Sequence, residues 1–156
     1  MLQVGDSVED FTLHDQAGEP VSWADYRGRP VVVFFYPKAN TPGCTQEACD
    51  FRDLKGELDA AGAAVIGISA DSVRKQANWT KKHSLSFPLL SDPERVVLDA
   101  WGVWGKKKMY GKEYEGIHRA TFLFDASGAV AEAWPKVKVK GHADAVLARV
   151  RELASG

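Results

Sequence analysis

The run Val31–Tyr36, VVVFFY, constrains this chain more than any other feature. An unbroken stretch of β-branched and aromatic residues has no polar face to offer water, so it predicts a strand buried on both sides. Such a strand belongs inside a sheet whose faces are covered by helices. A second run of the same kind, AVIGIS at 64–69, predicts another buried strand. Between the two lie a turn-rich stretch, 37–43, and then a helical pattern from Cys44 to about Ala61. Ala48, Phe51, Leu54 and Leu58 fall on one face of that helix at three- and four-residue spacing, and Gly62 predicts its stop.

The remaining pattern continues the alternation. Val8, Phe11 and Leu13 precede a turn at Asp15–Gly18, predicting a hairpin or short strands. Ser72–His83 reads as a helix, Pro88 and Pro93 punctuate the segment after it, and Glu94–Trp101 suggests a short helix. Ile117–Phe124 and Ala129–Trp134 flank the turn Asp125–Gly128, a hairpin signal, and His142–Leu153 reads as an amphipathic closing helix. The expected fold is a single α/β domain over residues 1–156, with a central mixed sheet flanked by helices.

Composition narrows the function classes. With 45% hydrophobic and 26% charged residues the chain is globular rather than disordered. Twenty basic residues nearly balance twenty-one acidic ones, which gives no bulk field for nucleic acid or an anionic membrane. No apolar run approaches membrane-spanning length, and the start MLQVGDSVEDF lacks the basic region of a secretory leader, so the cytoplasm is the expected location. Trp104–Lys112 (WGKKKMYGK) interleaves lysine with aromatic residues as single-strand binders do; at a net charge of −1 it is read as a solvated loop. Lys136, Lys138 and Lys140 alternate with Val137 and Val139, as in an exposed edge strand. Trp23, Trp79, Trp101 and Trp134 are read as core or half-core residues.

The chain's two cysteines, Cys44 and Cys49, stand close together. Two are too few for a disulfide framework, and clustered intracellular cysteines point to metal or redox chemistry. Thr41 before Pro42 predicts an N-cap with proline in the first helical position, which puts Cys44 in the first turn. Its sulfur then lies near unpaired backbone N–H groups and the positive end of the helix dipole, both of which favour the nucleophilic thiolate. A plain buried cysteine is the bland alternative, and the Thr-Pro-Gly setting argues against it. Zinc needs two further ligands, whereas His14, His83, His118 and His142 are scattered singly. A thioredoxin-type motif has only two residues between its cysteines, so simple disulfide-reductase chemistry fits poorly.

The stretch FYPKANTPGCTQEACDFRD matches the PxxxTxxC motif of the peroxiredoxins through Pro37, Thr41 and Cys44. Within that superfamily the chain resembles the bacterioferritin comigratory protein (PrxQ) branch, whose second cysteine stands where Cys49 does. The likeness continues through VIGISADS at 65–72, FPLLSDPE at 87–94, YGKEYEGIHRATFLFDASG at 110–128 and VKVKGHADAVL at 137–147. Ala39 departs from the branch, which more often carries an acidic or polar residue there. The resemblance implies a thioredoxin-like fold, a peroxide substrate, a thioredoxin-like reductant, a monomer, and no metal or cofactor. By the same resemblance, Cys44 attacks the terminal peroxide oxygen and Thr41 hydrogen-bonds thiolate and peroxide. Pro37, Pro42 and Gly43 shape the pocket, and Arg119 stabilises the departing oxygen. Cys49 then closes an intramolecular disulfide. Glu47, one turn from Cys44, is assigned to holding Arg119 or capping the helix, because a bare carboxylate there opposes a thiolate.

Two rival functions remain: a redox-switched binding protein or holdase using the same disulfide, and a structural zinc module. In peroxiredoxins that overoxidise readily, a GGLG loop and a C-terminal YF segment pack over the reactive helix. Neither is found here, where the last residues read RELASG. Disulfide formation is therefore expected to outrun sulfinic acid formation at moderate peroxide. Intact-mass spectra showing Cys44 mostly as sulfinic acid under those conditions would refute this.

Overall fold

The computed structural model describes residues 1–155. Its elements run β1 (Thr12–His14), β2 (Pro20–Ser22), a short 3-10 turn (Trp23–Tyr26), β3 (Val31–Phe35), α1 (Pro42–Asp53), α2 (Lys55–Ala60) and β4 (Ala64–Ser69). They continue through α3 (Val73–His83), β5 (Leu89–Ser91), α4 (Val96–Ala100), β6 (Trp104–Met109), β7 (Lys112–Ile117), β8 (Ala120–Phe124), β9 (Val130–Trp134) and α5 (His142–Ser155). Seven strands form one sheet in the order β2-β1-β5-β4-β3-β8-β9. β3, β4 and β5 run parallel, joined by helical crossovers, and the outer pairs are antiparallel. The central mixed sheet flanked by helices is the architecture expected from the sequence. Among the described residues no helix is long and apolar enough to cross a membrane.

β3 is buried along its whole length because each of its faces meets a separate core. Val32, Phe34 and Tyr36 point toward α1, α2, α3 and α5, where Phe51, Leu58, Trp79 and Val146 pack. Val31, Val33 and Phe35 point to the other side, against Val97, Leu98, Trp101 and Phe122. The alternation follows from the two-residue period of a strand. Gly67, paired with Phe34 in β4, makes room for the aromatic side. A Cβ there would stand 2.8 to 3.0 Å from Leu89, Phe34 and Tyr36.

Several expectations need correction. The helix read from Cys44 to Ala61 is two helices, because Leu54 leaves helical values at φ −95°, ψ 2°. Gly56, a poor helix former, is the second residue of α2. Trp104–Lys112 is not a loop: it supplies β6 and the turn into β7, which form a separate two-stranded antiparallel ribbon. Tyr110 and Gly111 turn it with positive φ, and its polar composition hid it because neither face is fully buried. Ile117–Phe124 is not one strand but the end of β7 and all of β8, interrupted at His118 and Arg119. Lys136–Lys140 forms no strand. There, Val137 N–H donates to the Arg119 carbonyl at 3.0 Å, a cross-link that alternation could not reveal. β5, only three residues long between two prolines, escaped the sequence pattern. Trp23, Trp79 and Trp101 are buried and Trp134 is half-buried.

His142 opens α5 inside the core, with Nε2 at 2.8 Å from Thr121 Oγ1 and the rings of Phe51 and Trp134 edge-on around it. Burial, aided by the nearby Arg119 charge, pushes its pKa down from 6.5 to about 4. Because the folded value is depressed, the stability from keeping His142 neutral is present above pH 6.5 and is lost as the pH falls toward 4. At 1.36 kcal/mol per pKa unit the loss amounts to about 3 kcal/mol. Urea titrations from pH 7 to pH 4 should show His142→Gln losing less stability over that window than the parent protein. Parallel pH profiles for the two would disprove the coupling.

Candidate active site

The chain leaves β3 through Tyr36 and crosses residues 37–41 before α1 begins at Pro42. A chain of buried hydrogen bonds ties down this outlet. Tyr36 Oη donates to Gln76 Oε1 at 2.7 Å, and Gln76 Nε2 donates to Ser69 Oγ at 2.9 Å. Ser69 Oγ donates to Asp71 Oδ2 at 2.7 Å, and the same carboxylate oxygen accepts from Ala39 N–H at 2.7 Å. Burial raises the Tyr36 pKa far above its ordinary value, so the phenol stays a donor. Asn40 then takes a left-handed turn, φ 64°, into the helix.

Thr41 occupies the N-cap position of α1 with Pro42 directly after it, as the sequence predicts. Its hydroxyl behaves otherwise: it donates to the Lys38 carbonyl at 2.7 Å and makes no capping bond. The hydrogen bond from Thr41 to the Cys44 thiolate implied by the resemblance is therefore absent, since the single hydroxyl proton is already given to a carbonyl. The oxygen's lone pairs remain available to accept from a ligand.

Cys44 lies in the first turn of α1 and is 1% exposed, beneath the exposed Pro42 and Gly43. Arg119 reaches it from the other side: Nη2 stands 3.3 Å from Cys44 Sγ, and Nη1 donates to Glu47 Oε1 at 2.8 Å. The register explains the meeting. β8 pairs antiparallel with β3 with Ala120 opposite Phe35, so Arg119 stands beside the outlet of β3. His118 N–H, bonded to the Val103 carbonyl at 2.7 Å, and the Val137 bond to the Arg119 carbonyl hold the backbone on both sides. Gly43 supplies the clearance, because a Cβ there would come within 3.3 Å of Arg119 Nη2.

The guanidinium thus bridges a sulfur and a carboxyl on one helix. Burial opposes the charge on Arg119, yet Cys44 and Glu47 outweigh it and raise its pKa. Glu47 is 1% exposed and its Oε2 is buried without a hydrogen-bond partner. Burial pushes its pKa up to about 7, the attraction of Arg119 notwithstanding. A sulfur and a carboxyl on α1 share one cation, and a partly protonated Glu47 leaves more of the Arg119 charge for the sulfur.

The structure brings Cys44, Arg119, Glu47 and Gly43 together, with Thr41 and Pro42 at the helix start. Pro37 lies on a neighbouring cleft under the β6–β7 ribbon. Cys49, half-buried, sits further along α1; both cysteines are free. Sequence reasoning missed Lys107, whose Nζ donates to the Ile117 carbonyl at 2.8 Å, close to the start of β8. Burial lowers its pKa, with Arg119 adding to the effect. It also missed Trp79, whose indole N–H donates to Thr45 Oγ1 at 3.0 Å and pins α1 to α3. Nothing in a lysine among lysines, or a tryptophan on an apolar stripe, marks these contacts. Among the described residues no group of three or more His, Cys, Asp and Glu side chains is arranged to hold a metal ion.

A buried cysteine at a helix N-terminus, faced by an arginine at the outlet of a central strand, defines a thiol-based oxidoreductase on a thioredoxin-like fold. Residues 4–133 match the AhpC/TSA family. A putative peroxiredoxin of Mycobacterium tuberculosis is 52% identical over 90% of both chains, and the peroxiredoxin Bcp of Escherichia coli is 46% identical over 98% of both. The bacterioferritin comigratory protein of Xanthomonas campestris superposes with a TM-score of 0.88 at 44% identity, over 92% of each chain. The chain belongs to the AhpC/TSA family and, within it, to the peroxiredoxins of the Bcp/PrxQ kind, which are peroxidases.

Removing the guanidinium tests its contact with the sulfur. Arg119→Ala is expected to slow oxidation of Cys44 by hydrogen peroxide by about 10²-fold or more, the size of effect seen when one fixed donor to a developing oxyanion is lost. Arg119→Lys, which keeps the charge but not the planar fork, should fall between the two. Arg119→Ala also removes the attraction that lowers the Glu47 pKa, so that value should climb above 7 in carboxyl NMR titrations. Equal rates for all three proteins would show that the contact is without consequence.

Proposed function

We propose that this protein is a two-cysteine peroxiredoxin that reduces hydrogen peroxide and alkyl hydroperoxides, is recycled by thioredoxin, and works as a cytoplasmic monomer in one thioredoxin-like domain. The observation that carries the reading is the 3.3 Å contact of Arg119 Nη2 with the buried Cys44 Sγ at the start of α1. The Cys44 thiolate attacks the terminal oxygen of the peroxide. As the O–O bond breaks, its electron pair stays with the departing oxygen, which takes a proton and leaves as water or an alcohol. Arg119 and the free N–H groups of the first turn stabilise the charge on that oxygen. Thr41 accepts a hydrogen bond from the bound peroxide, and Gly43, Pro37 and Pro42 bound the space around it. Glu47 positions Arg119. The Xanthomonas campestris relative, described for its alkyl peroxide reduction activity, supports extending the substrate beyond hydrogen peroxide.

Cys44 is left as a sulfenic acid, and attack by the Cys49 sulfur expels water and forms the disulfide. Both cysteines belong to the continuous helix α1. On an ideal helix five residues of rise give about 7.5 Å, and the sideways offset brings the Cα separation to roughly 8.6 Å. A disulfide needs Cα atoms within about 6.8 Å, so α1 has to open locally before the bond can close.

The experiment has three arms. Cys44→Ser should abolish peroxidase activity, while Cys49→Ser should give one fast oxidation and no thioredoxin-linked turnover. Amides over residues 44–50 should exchange faster in the disulfide form than in the reduced form. Continued cycling of Cys49→Ser with thioredoxin, or an oxidised form with α1 intact through both cysteines, would overturn the cycle.

A further inference from the structure

The charge of α3 is one-sided. Arg74, Lys75, Lys81 and Lys82 are all exposed, and Val73–His83 contains no acidic residue. Lys38, on the loop before α1, adds a fifth exposed cation. None of these five is ion-paired with a carboxylate among the described residues. Lys38, Lys75 and Lys82 line one cleft of about 470 Å³ together with Asn40, Asn78 and Trp79. Because the whole chain carries a net charge of −1, this concentration leaves the rest of the protein net negative. The other flank of α1 shows the contrast, where Asp50, Asp53 and Asp144 line the groove toward α5, with Lys140 the cation among them.

Cys49 belongs to the basic flank. Thr45, four residues before it, accepts from Trp79 Nε1 at 3.0 Å, and Arg52, three residues after it, donates to the His83 carbonyl at 2.6 Å. Residues three and four apart share a helix face, so Cys49 lies on the stripe of α1 that looks toward α3. In the closed helix Cys49 therefore faces the element that carries the unpaired lysines, and a partner held on them approaches the sulfur from that side.

We propose that the basic face of α3, with Lys38, is the docking surface for the reductant, and that it selects a dithiol protein carrying an acidic patch next to its attacking cysteine. The inference rests on the disulfide cycle described above. In the exchange, one partner thiolate attacks the Cys49 sulfur; the Cys44–Cys49 bond breaks and Cys44 leaves with the electron pair. The partner's second thiolate then attacks its own sulfur in the mixed disulfide and releases Cys49. The partner departs as a disulfide, two electrons poorer, and the protons its thiols lose balance those taken up by Cys44 and Cys49. The lysines draw the partner in, and the acidic flank of α1 repels a reversed approach, so the charge pattern sets orientation as well as rate. The same repulsion disfavours a nucleic-acid strand laid across α1.

The probes are reduced thioredoxin, a thioredoxin variant with the surface carboxylates flanking its dithiol changed to amides, and dithiothreitol. Each is mixed with full-length protein oxidised by one equivalent of hydrogen peroxide. The double substitution Lys75→Glu/Lys82→Glu is expected to cut the second-order rate constant with thioredoxin about tenfold or more. Lys75→Arg/Lys82→Arg should retain it. Raising the salt should slow the parent protein and leave the Glu variant nearly flat. The amide-substituted thioredoxin should lose most of the advantage of the parent over the variant. Reduction by dithiothreitol and oxidation by hydrogen peroxide should stay within about twofold. An unchanged rate with thioredoxin, or an equal loss with dithiothreitol, overturns the proposal, as does tight oligonucleotide binding at these lysines without any change in thioredoxin kinetics. If peroxide fails to oxidise Cys44 in the parent protein, the underlying cycle falls instead, and the first stage of the assay reports that separately.

Discussion

The antiparallel pairing of β8 with β3 is the constraint on which everything else depends. With Ala120 opposite Phe35, the residue before β8 stands beside the outlet of β3, where the reactive helix starts. Slipping that register by one residue would send every side chain of β8 to the opposite face, and a two-residue slip would carry Arg119 away by about 7 Å. The first would exchange Phe122 and Phe124, which fill one core, with Leu123, which fills the other, and the second would pull each of them off the neighbours it packs against. Packing on both faces of the sheet thus sets the distance between a guanidinium and a sulfur. The chemistry inherits its precision from the hydrophobic alternation of two strands.

The two sides of the site are fastened differently. The loop that leads into α1 is held by buried hydrogen bonds through Tyr36, Gln76, Ser69 and Asp71, tied to the sheet and α3. α1 itself is pinned along one flank through Trp79 and the His83 carbonyl, and its outer side borders an open groove. A cycle in which the helix opens can therefore run without disturbing the loop that restores it. Arg119 and Glu47 connect the two regions, since one side chain stands just before β8 and the other on α1.

How much could be read from the sequence depends on how locally each feature is encoded. The VVVFFY strand, the Thr-Pro helix start and the position of Cys44 in its first turn all lie in contiguous residues, and periodicity or capping chemistry is enough to find them. Arg119 is different: beside His118 at a strand end it has the look of a surface charge, and only the likeness to the peroxiredoxins singled it out. Its contact with Glu47 spans 72 residues of sequence, beyond the reach of any local pattern. The ribbon of β6 and β7 was lost for the opposite reason, because a strand pair with no fully buried face has no apolar alternation to display. The burial of His142 and the short β5 are likewise set by what surrounds them rather than by their neighbours in the chain.

The hydroxyl of Thr41 has a consequence of its own. A threonine at the N-cap ordinarily contributes about 1 kcal/mol by accepting a hydrogen bond from the helix it starts. Here it turns to the Lys38 carbonyl, so α1 begins without that brace. The first turn keeps its N–H groups unclaimed by a cap, and the helix is easier to unravel. A protein selected only for heat resistance would be expected to close this gap with a working cap. One that must open the helix on every turnover gains from leaving it loose. Under the proposed cycle, thermal robustness and catalytic speed pull on the same side chain in opposite directions.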